Sequence, residues 1–186
     1  VNHGLDVMDD ADVIIIPAWP DPSTAAPVEL TDALKKAHAK GTLIVGLCLG
    51  AFVLGDAGLL DGREATTHWM ARDMFAQRFP LAYFRPEVLY VDADNIITSA
   101  GTVAAIDCCL HLVRQRHGAE ISNRIARLLV TPPHRSGGQM QYIEHPIPHI
   151  PTGDRLINVL DWARQHLSEP LSLDSLANVA NMSRRT

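Results

Sequence analysis

The stretch Thr42-Leu-Ile-Val-Gly-Leu-Cys48-Leu-Gly50-Ala-Phe-Val-Leu54 decides the fold of this chain. Its first six residues form a short apolar run rich in branched side chains, which is typical of a buried strand. From Leu49 onward the apolar residues follow helical spacing, so the sequence predicts a strand that passes directly into a helix. Cys48 stands at this change, two residues from a glycine on either side. Glycines at these positions allow a sharp turn and a close approach of neighbouring segments.

The pattern G-x-C-x-G around Cys48 has the logic of a nucleophile elbow, with a thiol in place of the usual serine hydroxyl. A helix that begins beside the sulfur favours its thiolate form, because the helix amides and the macrodipole stabilise negative charge. The same amides suit a bound carboxylate or an oxyanion. The alternative is structural: a free cysteine is often only a small buried residue in a tight turn.

Strands and helices alternate along residues 13–130, which predicts an α/β fold with a mostly parallel sheet and helices on both faces. Val13-Ile-Ile-Ile16 is typical of a central parallel strand, and residues 87–98 are typical of a β-hairpin. Gly118 should divide the last two helices. The residues expected to face the core are Val28, Leu30, Leu34 and Ala37 in the first helix, Met70, Met74 and Phe75 in the third, and Val103, Ile106, Leu110 and Val113 in the fourth.

Four residues of different character fall at the carboxyl ends of predicted strands. These are Trp19, Cys48, His68 and Ser99. In open α/β sheets, ligands bind outside the carboxyl ends of the strands. The sequence therefore predicts that the four residues converge on a pocket.

Composition limits the classes of protein to which the chain can belong. Of 186 residues, 47% are hydrophobic and 20% are charged, and the formal net charge is −5, as in an ordinary globular protein with one core and a small second domain. Three cysteines make no disulfide framework, which favours a reducing, cytoplasmic setting. The apolar runs are too short to span a membrane.

The histidines of the C-terminal part do not form a metal-binding motif. His134, His145 and His149 match no compact ligand spacing, so we expect neither metal nor cofactor.

The C-terminal third differs in composition from the rest. Residues 131–151 contain many prolines and glycines and are predicted to be a linker between an α/β domain, 1–130, and a helical segment, 152–186. In that segment we expect an amphipathic helix that Asp154 caps. A second helix follows, which Ser172 can cap and whose packed side is formed by Leu173, Leu176 and Val179. Ser183-Arg184-Arg185 then starts a third helix. This is the pattern of a helix-turn-helix whose next helix contacts DNA, although a helical hairpin used for packing gives the same periodicity.

Several motifs together resemble a known family: the G-x-C-x-G elbow, Ala65-Thr-Thr-His-Trp69, Thr98-Ser-Ala-Gly101, Pro133-His-Arg-Ser-Gly-Gly-Gln139 and Met182-Ser-Arg-Arg185. In this order they resemble GlxA-type regulators of the AraC family, whose first half is ThiJ/PfpI-like. The resemblance implies a flavodoxin-like sensor domain related to class I glutamine amidotransferases, fused to a DNA-binding domain, in a homodimer that responds to a small-molecule effector. It also implies a further βαβ segment before Val1 and a second helix-turn-helix after Thr186.

The resemblance gives roles to individual residues. The residues expected to bind the effector are Trp19, Cys48, Leu49, His68 and Ser99. The residues expected to bind DNA are Ser183, Arg184 and Arg185. The rival hypothesis is a cysteine-dependent hydrolase, hydratase or amidase, with Cys48 and His68 as a catalytic pair. Two departures weaken it: Leu49 stands where hydratase-like relatives have a threonine, and the acidic partner that these enzymes carry in their N-terminal segment is not in this sequence.

Overall fold

The computed structural model of the chain describes residues 4–141, 159, 162–163, 166 and 171–183. The chain divides into two compact units, Val1–Ile143 and Glu144–Thr186. No helix of the described residues is long and apolar enough to cross a membrane. The first unit contains strands β1 (Val13–Ile16), β2 (Leu43–Leu47), β3 (Glu64–Ala65), β4 (Tyr83–Phe84), β5 (Tyr90–Ala93) and β6 (Ile96–Ser99), and helices α1 (Val28–Ala39), α2 (Gly50–Asp56), α3 (Arg72–Arg78) and α4 (Val103–Leu128).

The main sheet of the described residues has the strand order β1-β2-β6-β5, so Val13–Ile16, predicted as a central strand, lies at its edge. β1, β2 and β6 are parallel, with Ile14 opposite Ile44 and Ile44 opposite Ile96. β5 is antiparallel to β6 and joined to it by the two-residue turn Asp94-Asn95, in which both residues have a positive φ. This geometry matches the right-handed twist of a hairpin and is tolerated by Asp and Asn. The predicted α/β fold with a mostly parallel sheet is confirmed.

Helices pack on both faces of the sheet, although Ile15 of β1 is 43% exposed. Ile14, Ile44 and Ile96 point to one face, where they pack with α1, α2 and the ring of Phe75 in α3. The residues that follow in the strands, Val45 and Ile97 among them, point to the other face and pack against α4. Successive strand residues alternate between faces, so a strand covered on both sides needs a continuous apolar run.

Several helices turn different residues to the core than the sequence predicted. Val28, Met70, Met74, Val103 and Ile106 are exposed, the first to 63%. Residues 69–71 form a 3-10 turn and α3 begins only at Arg72, which moves both methionines outward. α4 packs on the sheet through its small residues Ala104 and Cys108, which rotates its larger neighbours toward solvent.

α4 changes direction at Gly118, as predicted. This glycine has φ 83° and ψ 169°, outside the helical region, and helical structure continues on both sides of it. One strand was not predicted from the sequence. This is β4, which pairs in parallel with β3.

Residues 133–141 belong to the first unit, although the sequence placed them in a linker. The Leu89 amide donates to the Gly137 carbonyl at 2.8 Å, and the Gln141 amide donates to the Glu87 carbonyl at 2.7 Å. Met140 forms an isolated antiparallel bridge with Val88. These bonds extend the hairpin side of the sheet, so the start of the predicted linker needs correction; the rest of the predicted domain division stays a prediction.

In the second unit the structure describes one full helix, α5 (Leu173–Ala180). Ser172 caps it by accepting a hydrogen bond from the Ser175 amide at 3.1 Å, and Asn181 ends it in the left-handed conformation. The predicted helix and turn are confirmed here. Leu173, predicted to pack, is instead 63% exposed. Most of the helix predicted from Asp154, together with Arg184 and Arg185, lies outside the described residues.

Candidate functional site

The turn between β2 and α2 is made by Cys48 itself, which has φ 54°. A left-handed conformation is uncommon for a residue with a side chain, and such strain is concentrated at functional sites. The flanking glycines serve close packing instead. A Cβ on Gly50 would overlap the carbonyl oxygen of Ile16, and a Cβ on Gly46 would lie 3.1 Å from the backbone of Ala51. The sequence placed the turn correctly but expected glycine to make it.

Hydrogen bonds from two neighbouring segments hold Cys48 in this conformation. Its amide donates to the carbonyl of Ser99 at 3.0 Å. Its carbonyl accepts from the hydroxyl of Thr67 at 2.9 Å. The Thr66 amide donates in turn to the hydroxyl of Thr98, also at 2.9 Å. The carboxyl ends of β2 and β6 and the segment 66–68 therefore form one connected corner.

Gly101 brings Cys48 and His68 together. A Cβ at this position would lie 2.8 Å from the Cys48 sulfur and would overlap Cδ2 of His68. The thiol and the imidazole therefore both pack against the bare α-carbon of Gly101, at the start of α4. Within the described part of the chain, no hydrogen bond joins the sulfur to the histidine.

Burial raises the pKa of the Cys48 thiol above its ordinary value, because the site disfavours a charged sulfur. A hydrogen bond from the Leu49 amide lowers this pKa and only partly offsets the burial. The sequence predicted a stabilised thiolate, and that prediction is wrong. Desolvation of the sulfur outweighs the amide of the adjoining helix, and the described residues place no cation beside the thiol to reverse the balance.

The ring of His68 is oriented by its own backbone neighbourhood. Its Nδ1 accepts a hydrogen bond from the Met70 amide at 3.2 Å. The same ring stacks on Trp69, with 5.7 Å between ring centres. His68 thus presents its Cδ2 edge to Gly101 and its face to an indole.

A cavity of about 270 Å³ opens beside this corner. Its walls come from the segment after β3, the end of β6, the start of α4 and the segment that contains Arg135. The lining residues are His68, Trp69, Leu89, Ala100, Gly101, Thr102, Val103, Ala104, Arg135 and Gln141. A concave site with an apolar wall and a few polar groups is typical of small-molecule binding.

The structure brings together some of the predicted site residues and not others. His68 lines the cavity, and Cys48 lies behind Gly101 at its edge. Ser99 is fully buried and supports the elbow through its carbonyl. Trp19 and Leu49 pack against the core on the α1 and α2 face and are not among the lining residues. Ser183 belongs to the second unit and is exposed.

Sequence reasoning missed Arg135 and Gln141. Arg135 donates through Nε to the buried Asp107 carboxylate at 3.0 Å, and its Nη2 contacts the same oxygen. The Gln141 side chain donates to the carbonyls of Pro86 and Val88, both at 2.9 Å, and accepts from the Trp69 amide at 3.2 Å. The signal was present, because Arg135 lies in one of the motifs that carried the family resemblance.

The sequence profile of the DJ-1/PfpI family matches residues 3–115 of this chain. That range contains the elbow, the segment 65–69 and the start of α4. The chain belongs to the DJ-1/PfpI family.

Three relatives show the breadth of this similarity. The HTH-type transcriptional regulator CdhR of Pseudomonas aeruginosa is 30% identical over 184 residues, which cover 99% of this chain and 54% of CdhR. The HTH-type transcriptional regulator GlxA of Rhizobium meliloti is 28% identical over a region that covers 82% of this chain and 47% of GlxA. The isonitrile hydratase of Pseudomonas putida is 31% identical over a region that covers 68% of this chain and 56% of the hydratase. The chain thus spans about half the length of these relatives.

A solved structure supports the fold. The AraC family transcriptional regulator from Pseudomonas putida superposes with a TM-score of 0.60 over 68% of each chain, at 23% sequence identity. The predicted resemblance to GlxA-type regulators with a ThiJ/PfpI-like domain, and the flavodoxin-like fold that it implied, are confirmed by these comparisons.

Proposed function

We propose that the chain is part of a DNA-binding transcriptional regulator whose DJ-1/PfpI unit senses a small metabolite. The observation that carries the proposal is the extent of the similarity to CdhR. It runs over 99% of the chain and therefore includes the second compact unit, Glu144–Thr186, which an α/β sensor or enzyme does not require. The cap at Ser172 and the left-handed turn at Asn181 supply the helix and turn that a helix-turn-helix needs.

The partners follow from this proposal. DNA is the partner of the helix-turn-helix, through Ser183, Arg184 and Arg185. A small-molecule effector occupies the cavity beside His68 and Gly101, with Cys48 as a supporting residue. We further propose that the regulator acts as a homodimer in the cytoplasm, as the resemblance implies.

The segment 133–141 offers a route from the cavity to the rest of the protein. It supplies Arg135 and Gln141 to the cavity wall, and the second compact unit begins three residues later, at Glu144. A ligand shifts an equilibrium only if it binds one state more tightly than the other. A ligand that contacts Arg135 or Gln141 would stabilise the packed state of this segment, and the regulator's response would arise there.

The decisive test is DNA binding by the chain and, where the gene encodes further residues, by its whole product. Fluorescence anisotropy would follow binding to DNA from the promoter region of the gene, with and without a low-molecular-weight cell extract. We expect sequence-specific binding whose affinity changes with the extract. Absence of specific binding in the whole gene product would overturn the proposal.

A cysteine-dependent enzyme of the hydrolase, hydratase or amidase type is the second candidate. The strained conformation of Cys48 beside His68 favours it, and one relative is named an isonitrile hydratase. The raised thiol pKa and the absence of a hydrogen bond between Cys48 and His68 argue against an activated nucleophile. Hydration of an alkyl isonitrile, compared between the wild-type protein and Cys48→Ala, would decide. Turnover that disappears in the variant would favour the enzyme.

A further inference from the structure

The side chain of Gln141 is buried where the segment 133–141 meets the wall of the cavity. It is 7% exposed and lines the cavity together with His68 and Trp69. Its Oε1 accepts a hydrogen bond from the Trp69 amide at 3.2 Å. Gln141 therefore joins the wall that carries His68 to a segment that ends three residues before Glu144, where the second compact unit begins.

The other end of the same side chain faces four hydrogen-bond acceptors. Its Nε2 lies 2.9 Å from the carbonyl oxygens of Pro86 and Val88, 3.1 Å from that of Thr67 and 3.4 Å from the hydroxyl of Thr66. An amide nitrogen has only two hydrogens, so it cannot donate to all four at once. The two shortest bonds attach Gln141 to the loop before β5, and the longer contacts reach the segment that precedes His68.

Only an amide satisfies these surroundings with both of its ends. The carbonyl oxygens of Pro86 and Val88 accept hydrogen bonds and cannot donate, whereas the Trp69 amide donates and cannot accept. A carboxylate of the same shape has no N–H donor and would set an oxygen against the carbonyl oxygens. The exchange of a single atom of Gln141 therefore breaks the connection with little change in shape.

The backbone of the same segment is bonded to the hairpin side of the sheet. The Gln141 amide donates to the Glu87 carbonyl at 2.7 Å, and the Leu89 amide donates to the Gly137 carbonyl at 2.8 Å. These backbone bonds and the side-chain bonds of Gln141 converge on residues 86–89. A displacement of Trp69 would therefore be felt, through one side chain, by the bonds that keep the end of the segment in place.

We propose that Gln141 is the positioning residue that couples the ligand cavity to the second compact unit. The inference rests on the proposed sensor function, because it names the residue through which that site is regulated. A ligand that packs against Trp69 and His68 favours the arrangement in which the Trp69 amide is bonded to Gln141. The segment 133–141 then stays on the sheet. The ligand has this effect only to the extent that it binds the packed arrangement more tightly than the detached one.

Hydrogen exchange read by mass spectrometry tests the connection without any ligand. Gln141→Glu removes the two donors and keeps the shape, and Gln141→Met removes them without adding a charge. In both variants the amides of Leu89 and Gln141 should exchange about tenfold faster or more, because lost hydrogen bonds ease local opening. Gln139→Glu makes the same chemical change at an exposed position two residues away and should exchange as the wild type does. Unchanged exchange in both Gln141 variants, or an equal rise in the amides of α1, would overturn the proposal.

The low-molecular-weight cell extract then serves as the probe for coupling. In the wild-type protein the extract should slow exchange in two peptides, residues 66–71 of the cavity wall and residues 137–141. In Gln141→Met it should still protect residues 66–71 and no longer protect residues 137–141. Protection of both peptides in the variant would show that coupling does not need Gln141. Protection of neither would show that the residue builds the cavity instead of coupling it, and either result would overturn the proposal.

DNA binding separates the failure of this inference from the failure of the sensor proposal. If the DNA affinity of the whole gene product responds equally to the extract in the wild type and in Gln141→Met, the sensor proposal stands and the role of Gln141 is wrong. If the extract protects both peptides in the wild type and only the cavity wall in Gln141→Met, but the whole gene product binds no specific DNA, the role of Gln141 within the first unit stands and the regulator proposal is wrong.

Discussion

The thiol of Cys48 and the imidazole of His68 pack against the same α-carbon without a hydrogen bond to each other. That α-carbon belongs to Gly101, the last residue of the Thr98-Ser-Ala-Gly101 motif. A catalytic pair needs a histidine within hydrogen-bonding reach of the nucleophile. Here the two groups form a packed corner, which is suited to positioning the start of α4 and the cavity wall that it provides.

Substitution of Gly101 by alanine should disrupt this corner. The new Cβ would overlap the His68 ring and press on the Cys48 sulfur, so one or both side chains must move. We expect a loss of about 1–3 kcal/mol in the free energy of unfolding, as in other overpacked cores. Urea unfolding would measure it. Gly138→Ala is the matched control, because a Cβ there would meet no atom within 4 Å. Equal effects of the two substitutions would contradict the packing argument.

Alkylation of Cys48 should be slow at neutral pH and accelerate as the pH rises. The thiolate is the reactive form, and burial raises the thiol pKa, so the thiolate fraction at pH 7 is below that of an ordinary cysteine. The rate should increase about tenfold for each pH unit up to the raised pKa. Iodoacetamide labelling followed by mass spectrometry would give the profile. A rate that levels off below pH 8 would mean that the thiolate is stabilised after all.

Among the three thiols, Cys48 should still react fastest in the folded protein. Cys108 is fully buried in α4, and burial strongly raises its pKa; Cys109 is part-buried with its pKa raised for the same reason. Cys48 combines partial exposure with a hydrogen bond from the Leu49 amide. Brief labelling would rank the adducts. Faster labelling of Cys108 or Cys109 than of Cys48 would contradict the placement of the elbow.

Replacement of Cys48 by alanine should change the response to ligand more than the stability. Alanine keeps a Cβ in the strained conformation and removes only one sulfur, so the free energy of unfolding should fall by about 1 kcal/mol. If the sulfur supports Gly101 at the cavity edge, the ligand dependence of DNA affinity should weaken while basal affinity stays the same. Operator titrations with and without ligand would show this. An unchanged response would leave Cys48 a structural turn residue.

Truncation of Arg135 to alanine should destabilise the first unit strongly. Asp107 is 3% exposed, and one of its oxygens already has no partner, so the variant would leave a buried charge without compensation. Such a change costs about 3–5 kcal/mol in the free energy of unfolding.

The same measurement in a background that carries Asp107→Asn provides the control for this pair. With the buried charge removed, loss of Arg135 should cost much less, and the difference between the two backgrounds is the coupling of the pair. Equal costs in both backgrounds would mean that the two residues do not depend on each other.

Local pattern in the sequence was sufficient for the strands of the main sheet and for the elbow, but it did not predict β4. Leu43–Leu47 is a continuous apolar run because both faces of the sheet are covered along it, and that requirement is visible in its composition. Val13–Ile16 is also continuously apolar, but it lies at the edge of the sheet and leaves Ile15 exposed. The position of Cys48 between two glycines, the helix stop at Gly118 and the cap at Ser172 are likewise local. Each depends on a backbone conformation or a hydrogen bond within a few residues.

The tertiary structure alone decided which residues share the cavity and what charge the site can hold. Arg135 and Gln141 are far in sequence from His68 and Gly101, and their proline-rich surroundings predicted a linker. Only the bonds to the hairpin and to Asp107 place them in the wall. The thiol pKa was misjudged for a related reason. A helix beside a sulfur can be read from the sequence, but the desolvation that outweighs it depends on every segment that packs around the sulfur.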